Sequence, residues 1–347
     1  MKISTLLTFT LAMCVLFPRK GATVDLESGS AASMMKAMVA HDYGPPEVLK
    51  LEDVLRPVPK ENEVLVHVIA SGVNPVDTLI VSGKYAKEFG THLPLTPGYD
   101  IAGVVEQTGT KITKLKVGDP IYGYVLWGGG FAQYDIATEG EVAIKPKSLN
   151  YVEAASVPLV ALTAWQGLID AAKLSAGQTV LIHGGSGGVG TMAIQIAKAR
   201  GARVIATAST ANQDLLKELG ADVAVDYTKQ KFEDVARDVD VVLDSVGKDT
   251  LARSYGVVKK GGFIATLVAR LNQNELDKHG IRGASISVRP DANELDEITR
   301  LIEAKKIKPV VTEVLPLTEA VKALQQAATH HTRGKIVLKI TAEPQAE

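Results

Sequence analysis

The 347-residue chain has a single cysteine, Cys14. Neither a disulfide nor a cysteine zinc cluster can be assembled from it. An excess of charge of one sign is also missing. Thirty-eight Lys and Arg stand against 39 Asp and Glu, for a net charge of −1, and no basic stripe marks a nucleic-acid binder. Long apolar runs are absent too. The run from Leu6 to Phe17 is too short to span a bilayer. There are no internal repeats and no low-complexity tracts.

What is present falls into three parts. In the first, Lys2 precedes the apolar run LLTFTLAMCVLF, and PRKGATVDLESGSAAS follows. This has the form of a secretory signal, but cleavage after Ala22 would put Lys20 at the −3 position. Two readings stay open: an export signal, or an upstream extension of a protein whose working part starts near Met34 or Met35. Residues 1–34 are set aside as a leader.

From Met35 the second part is rich in β-type residues with Gly, Pro and Asn breaks. VLKLEDV, EVLVHVIASGV, DIAGVVEQTG and EVAIKP read as short strands. Near Tyr151 the character changes, and 151–174 has helical spacing with few breakers. Apolar strands then alternate with amphipathic helices. TVLIHG, ARVIATA, VAVDY, VDVVLDSVG and GGFIATLV read as strands; MAIQIAKARG, NQDLLKELG and FEDVARD read as helices. That alternation predicts an α/β architecture with a parallel sheet covered on both faces. Two helices, NELDEITRLIEAKKI and LTEAVKALQQA, and a last strand, GKIVLKI, complete the chain.

Gly185-Ser186-Gly187-Gly188-Val189-Gly190 fits the dinucleotide fingerprint G-x-G-x-x-G, directly after an apolar strand and at the start of a helix. The glycines allow a tight turn and close backbone approach to a pyrophosphate, and the helix N-terminus supplies N–H donors and a favourable dipole. A rival is the nucleophile elbow G-x-S-x-G over 184–188, with Ser186 as nucleophile and Asp244 and His279 or His330 as partners. No HGGG-type oxyanion segment precedes it, and Gly190 with the following β-α unit fits the dinucleotide better. An NAD site has an acid about 20 residues on, at the end of the second strand. Here that end reads Ala206-Thr207-Ala208-Ser209-Thr210 and offers hydroxyls without a carboxylate, which favours NADP(H).

These segments together resemble the zinc-free quinone oxidoreductases, the ζ-crystallin-like group of the medium-chain dehydrogenase/reductase superfamily. The resemblance covers about 35–347. It rests on GVNPVDTLIVSGKY (72–85), PLTPGYDIAGVVEQTG (94–109), GGGFAQY (128–134), LTAWQGL (162–168), the glycine loop with its flanks (180–208), VLDSVG (242–247) and RGKIVLKI (333–340). It implies a GroES-like, mainly β catalytic domain over 35–154 and 293–347. A Rossmann doubly wound domain over 155–292 completes the implied fold.

The zinc enzymes of that superfamily carry a cysteine ligand where Asn74 stands, and Gly-His-Glu where Gly98-Tyr99-Asp100 stands. Both departures argue against a metal. The seven histidines, at 41, 67, 92, 183, 279, 330 and 331, show no ligand spacing; His183 reads as structural and the 330–331 pair as surface. A quinone, or an enone conjugated to a carbonyl, needs only hydride and a hydrogen bond to its developing oxyanion. The resemblance places Asn74 and Tyr85 beside the nicotinamide as neutral donors. Asn74 is also a natural turn residue before Pro75, and Tyr85 an apolar wall. Asp77 reads as holding the loop. The group often has a tyrosine where Leu79 stands. By the same resemblance Thr163, Asp244, Ser245, Val246, Leu267, Gly334 and Lys335 line the nicotinamide half. Ser209 and Tyr227 lie near the 2′-phosphate, where Asn212 replaces a frequent lysine. GASISVR (283–289) suggests an edge strand that in relatives pairs across a two-fold axis, implying a homodimer. The implied function is NADPH-dependent reduction of quinones or enones. A different class, a non-catalytic NADPH-binding protein with a structural or RNA-associated role, is the alternative, which the near-neutral charge disfavours.

Overall fold

The computed structural model describes residues 33–86, 90–329 and 331–343; the signal-like leader and His330 lie outside these residues. Strands β1 (Met34–Ala40) and β2 (Leu49–Leu55) form an antiparallel hairpin. Strand β3 (Val64–Gly72) follows and is buried along nearly its whole length.

The stretch after β3, read from sequence as a loop, folds into helix α1 (Pro75–Val81). Pro75 sits at the first helical position, where its missing N–H is no loss. Asp77, two residues on, reaches back to accept a hydrogen bond from the backbone N–H of Asn74 at 2.7 Å. Strands β4 (Asp100–Thr108), β5 (Pro120–Tyr124), β6 (Tyr134–Ala137) and β7 (Val142–Ile144) continue the β part.

The segment 151–174 is not one helix. It forms α2 (Tyr151–Ala155), then α3 (Pro158–Trp165), then a wide π-type turn over Gln166–Ala171. Pro158 is the reason. It cannot donate into a preceding turn, so one helix stops before it and another starts on it.

The alternating part follows: β8 (Thr179–Ile182), α4 (Gly188–Ala199), β9 (Arg203–Ala208), α5 (Gln213–Glu218), β10 (Val223–Asp226), β11 (Val239–Asp244), α6 (Lys248–Ser254), β12 (Val258–Thr266), α7 (Gln273–His279) and β13 (Arg282–Ser285). FEDVARD gives only a short 3-10 turn, Phe232–Asp234, where a helix was expected. The segment is too short to sustain a helix alone. It works as a plug, with Phe232 and Ala236 buried against Leu181 and Val242. Helix α8 (Ala292–Glu303), β14 (Val311–Pro316), α9 (Ala320–Ala328) and β15 (Lys335–Lys339) end the described chain.

Two sheets organise these elements. One has six parallel strands in the order β10-β9-β8-β11-β12-β13. The strand order reverses direction between β8 and β11, so the glycine loop after β8 opens at the switch point, where open α/β sheets bind ligands. The other has seven strands in the order β14-β15-β3-β4-β5-β7, with β6 pairing β3. The C-terminal strand β15 therefore lies between β14 and β3, pairing Val337 with Gly72. The main core cluster runs from α2 and α3 through β8, α4 and β9. Each Leu or Ile buried there contributes roughly 1.5–3 kcal/mol.

Candidate active site

Steric demand explains the glycine loop residue by residue. A Cβ on Gly190 would lie 2.2 Å from the Gly184 carbonyl oxygen, and one on Gly185 would lie 3.1 Å from the Ala206 Cβ. The first glycine is thus needed for packing on β9, and the third for the strand-to-helix turn. Gly187 differs: a Cβ there would meet only the Gly184 oxygen, at 3.5 Å. Its open side leaves room for another group's backbone-close approach. Helix α4 begins at Gly188 with no side chain capping it and no acid in its first turn. An uncapped helix N-terminus behind an open glycine fits a pyrophosphate. Val189 is half-buried and packs on the main core.

The loop is tied to the C-terminal strand. The Gly334 N–H donates to the Ser186 carbonyl at 2.8 Å, and Gly187 and Gly334 form a parallel bridge. Gly334 has φ 57°, and a Cβ on it would stand 2.2 Å from the Val310 oxygen.

Around this loop the side chains are mostly committed. The Asp244 carboxyl accepts from the N–H groups of Val246 and Gly247 through Oδ1, and from the Thr266 hydroxyl through Oδ2. It is fully buried. Asp244 therefore shapes the loop carrying Ser245 and Val246. Ser245 donates to the His183 carbonyl at 2.8 Å, Val246 is exposed, and Leu267 is half-buried with its N–H on the Asp244 carbonyl. Thr163 is buried and donates to Leu159 O at 2.6 Å. His183 lies between the Thr207 and Ser254 hydroxyls, at 3.3 and 2.9 Å. Burial pulls its pKa down to about 4, so it is neutral and structural. At the far end of β9, Ser209 accepts from the Asn212 amide at 3.1 Å, and Tyr227 is exposed.

The partners named for the nucleophile-elbow reading have other contacts. Both oxygens of Asp244 accept from the Val246, Gly247 and Thr266 donors, and His279 pairs with Glu275; His330 lies outside the described residues.

Between the end of β3 and the start of α1, one buried cation organises the polar groups. Lys335 has three ammonium hydrogens and meets three acceptors: Val73 O at 2.8 Å, Asn74 Oδ1 at 2.5 Å and Asp100 Oδ2 at 3.2 Å. The Asn74 amide donates to Asp100 Oδ2 at 2.8 Å and to Gly72 O at 3.3 Å. Asp100 Oδ1 accepts from the Leu159 N–H. Asn74 is 1% exposed. Both hydrogens of its amide have partners, so Asn74 links the ammonium to the carboxylate. Burial pushes the Asp100 carboxyl up, against the opposing pull of Lys335, Asn74 and Leu159.

Asp77 is also fully buried. It accepts from the Asn74 and Gly98 N–H groups, clamping the start of α1 to the loop before β4, and burial pushes its carboxyl up to about 7. It holds the loop, as its place in the sequence indicated. Tyr85 is half-buried against the main core, with the Lys84 ammonium 5.6 Å from its ring centre. Sequence reasoning named Asp100 only as a departure from Gly-His-Glu. Its pairing with Lys335 had no local signal, since the partners are 235 residues apart.

Comparison with known proteins extends this picture. The model described as the alcohol dehydrogenase GroES-like domain matches residues 60–147, and one described as zinc-binding dehydrogenase matches 219–338. The 2-methylene-furan-3-one reductase of Solanum lycopersicum is 39% identical over 322 residues, covering 89% of this chain and 80% of that protein. The structure of the quinone oxidoreductase from Coxiella burnetii matches with a TM-score of 0.83 at 33% identity, over 89% of this chain and all of that one. The chain belongs to the zinc-free quinone oxidoreductase group of the medium-chain dehydrogenase/reductase superfamily. A further member of that group, the Escherichia coli quinone oxidoreductase solved with NADPH, matches at TM-score 0.80 and 28% identity over 88% of this chain. Despite the description of the second matched model, the donor set here does not fit zinc. An ammonium already stands between Asn74 and Asp100. Among the described residues no three His, Cys, Asp or Glu gather to hold a metal ion.

Proposed function

We propose that this protein is an NADPH-dependent reductase of quinones and related α,β-unsaturated carbonyl compounds. The reading is carried by one observation: an uncapped glycine-loop helix adjoins a loop whose buried polar groups are bonded to and neutralised by the Lys335 ammonium. Relatives named for reduction of a methylene-furanone and of quinones support it, as does a relative named an NADPH-dependent alkenal/one oxidoreductase.

NADPH, when bound, supplies the hydride. The glycine loop and the N-terminus of α4 hold its pyrophosphate; Gly187 permits the close approach. Lys335, pinned by Asn74 and Asp100, fixes the Gly334–Gly187 junction relative to the substrate loop. Hydride addition to a conjugated acceptor leaves an oxyanion. The Tyr85 hydroxyl is the donor proposed for it, and water completes the protonation. A saturated ketone lacks that conjugated route.

Purified full-length protein is expected to oxidise NADPH with benzoquinone, phenanthrenequinone and a medium-chain enone, and to leave a saturated ketone untouched. No turnover with any conjugated acceptor, despite tight NADPH binding, would sink the enzyme reading and favour a non-catalytic binding role. The exposed edge of β13, paired on one side only by β12, supports a homodimer in which two such edges meet. No helix among the described residues is long and apolar enough to cross a membrane. The leader's role is read by intact mass: a shortened chain supports export, a full-length one an upstream extension.

A further inference from the structure

The carboxylate-free end of β9 leaves open what holds a 2′-phosphate, and resting on the NADPH reading above, the neighbouring turn answers it. In a Rossmann unit the end of the second strand faces the adenosine ribose. Here that end is Ala208, followed by Ser209 and Thr210. Strand β10 runs parallel beside β9 with Asp226 opposite Ala208, and the Tyr227 N–H donates to Ala208 O at 3.2 Å. The turn after β10 therefore stands directly beside the turn after β9.

Asp226 joins the two turns. Its Oδ2 accepts from the Thr210 hydroxyl at 2.6 Å; its Oδ1 accepts from the Thr228 hydroxyl at 2.6 Å and the Thr228 N–H at 3.0 Å. The Thr210 and Thr228 hydroxyls hold its carboxyl down to about 2, so it is ionised at any working pH. Lys229 places its ammonium 3.5 Å from the same Oδ2 that Thr210 occupies. The Lys229 side chain is 67% exposed and that of Asp226 only 11%. An ion pair so open contributes little to stability, so turning the ammonium toward a phosphate costs little. Asn212, on the other side of the turn, offers only a neutral amide, already bonded to Ser209.

We infer that Lys229 is the cation that recognises the 2′-phosphate of NADP(H), with Asp226 as the residue that positions it beside Ser209 and Thr210. Lys229 thereby replaces, from the next turn, the charge that position 212 lacks. It also screens the phosphate from Asp226. Removing Lys229 exposes that carboxylate to the phosphate, so the loss is one of selectivity and not only of attraction.

Binding of NADPH and of NADH is measured by fluorescence titration on the full-length protein, wild type and Lys229→Gln, at low and high salt. The wild type is expected to prefer NADPH. The variant is expected to lose about tenfold in NADPH affinity, with a shallower salt dependence, and to bind NADH unchanged. Unaltered NADH binding also shows that the variant is folded. An NADPH-to-NADH ratio unchanged in the variant overturns the assignment, as does a wild type with no preference, while both leave the reductase reading intact. A wild type that binds neither dinucleotide overturns the cofactor reading itself, and this assignment with it.

Discussion

At the scale of single residues, Lys335 is the centre of the site. Three acceptors satisfy its three hydrogens, and two of them come from Asn74 and Asp100. Breaking a buried ion pair by removing one partner strands the other charge, at a cost of about 3–5 kcal/mol. Lys335→Met is therefore expected to lower stability by about that amount in urea unfolding, whereas Lys335→Met combined with Asp100→Asn, which leaves no stranded carboxylate, is expected to lose less. A double variant whose loss equals the sum of the losses of Lys335→Met and Asp100→Asn alone would show that the two groups are not coupled. The sequence made part of this legible. Asn74 and Lys335 each drew notice, one by its loop and the other by its strand. That they are bonded to each other was not legible, because 261 residues separate them and only the return of β15 onto β3 joins them. The amide's partner Asp100 was hidden for the same reason, since 26 residues separate the two.

Among elements, the strand–glycine loop–helix unit was the most legible. Its signals are local: an apolar strand, spaced glycines and an amphipathic helix within about 20 residues. Elements whose limits depend on one breaker or on tertiary burial were less so. Pro158 splits what reads as one helix, α1 forms where the Asn-Pro pair reads as a turn, and FEDVARD shortens to a plug under Phe232. The glycines of the loop divide by role, and that division is testable. Gly190→Ala puts a methyl 2.2 Å from Gly184 O and is expected to cost both thermal stability and NADPH affinity. Gly187→Ala meets only ordinary contact and is expected to keep its melting temperature while losing at least about tenfold in NADPH affinity. Equal effects of the two changes on stability, by thermal melting and nucleotide titration, would contradict the assignment of Gly187 to the phosphate.

Over the whole molecule, a parallel sheet and an antiparallel-rich sheet meet where the glycine loop touches the C-terminal strand. The Gly334–Gly187 bridge and the buried Lys335 bind the cofactor side to the substrate side. This arrangement sets an internal ammonium between Asn74 and Asp100. It leaves a site able to accept hydride chemistry on conjugated carbonyls through hydrogen bonds alone. The overall architecture was legible from the switch in periodicity near Tyr151 and from the final apolar strand. The meeting of the two sheets was not, since it is made by contacts between distant ends of the chain. The central claim is metal-free delivery of hydride to the conjugated carbon. Its most direct test is deuteride transfer from 4-deuterated NADPH to an enone, followed by NMR of the product, in the presence of a strong metal chelator. The account predicts a saturated ketone carrying deuterium at the β-carbon, at a rate the chelator does not change. Deuterium on the carbonyl carbon of an allylic alcohol, or transfer abolished by the chelator, would contradict it.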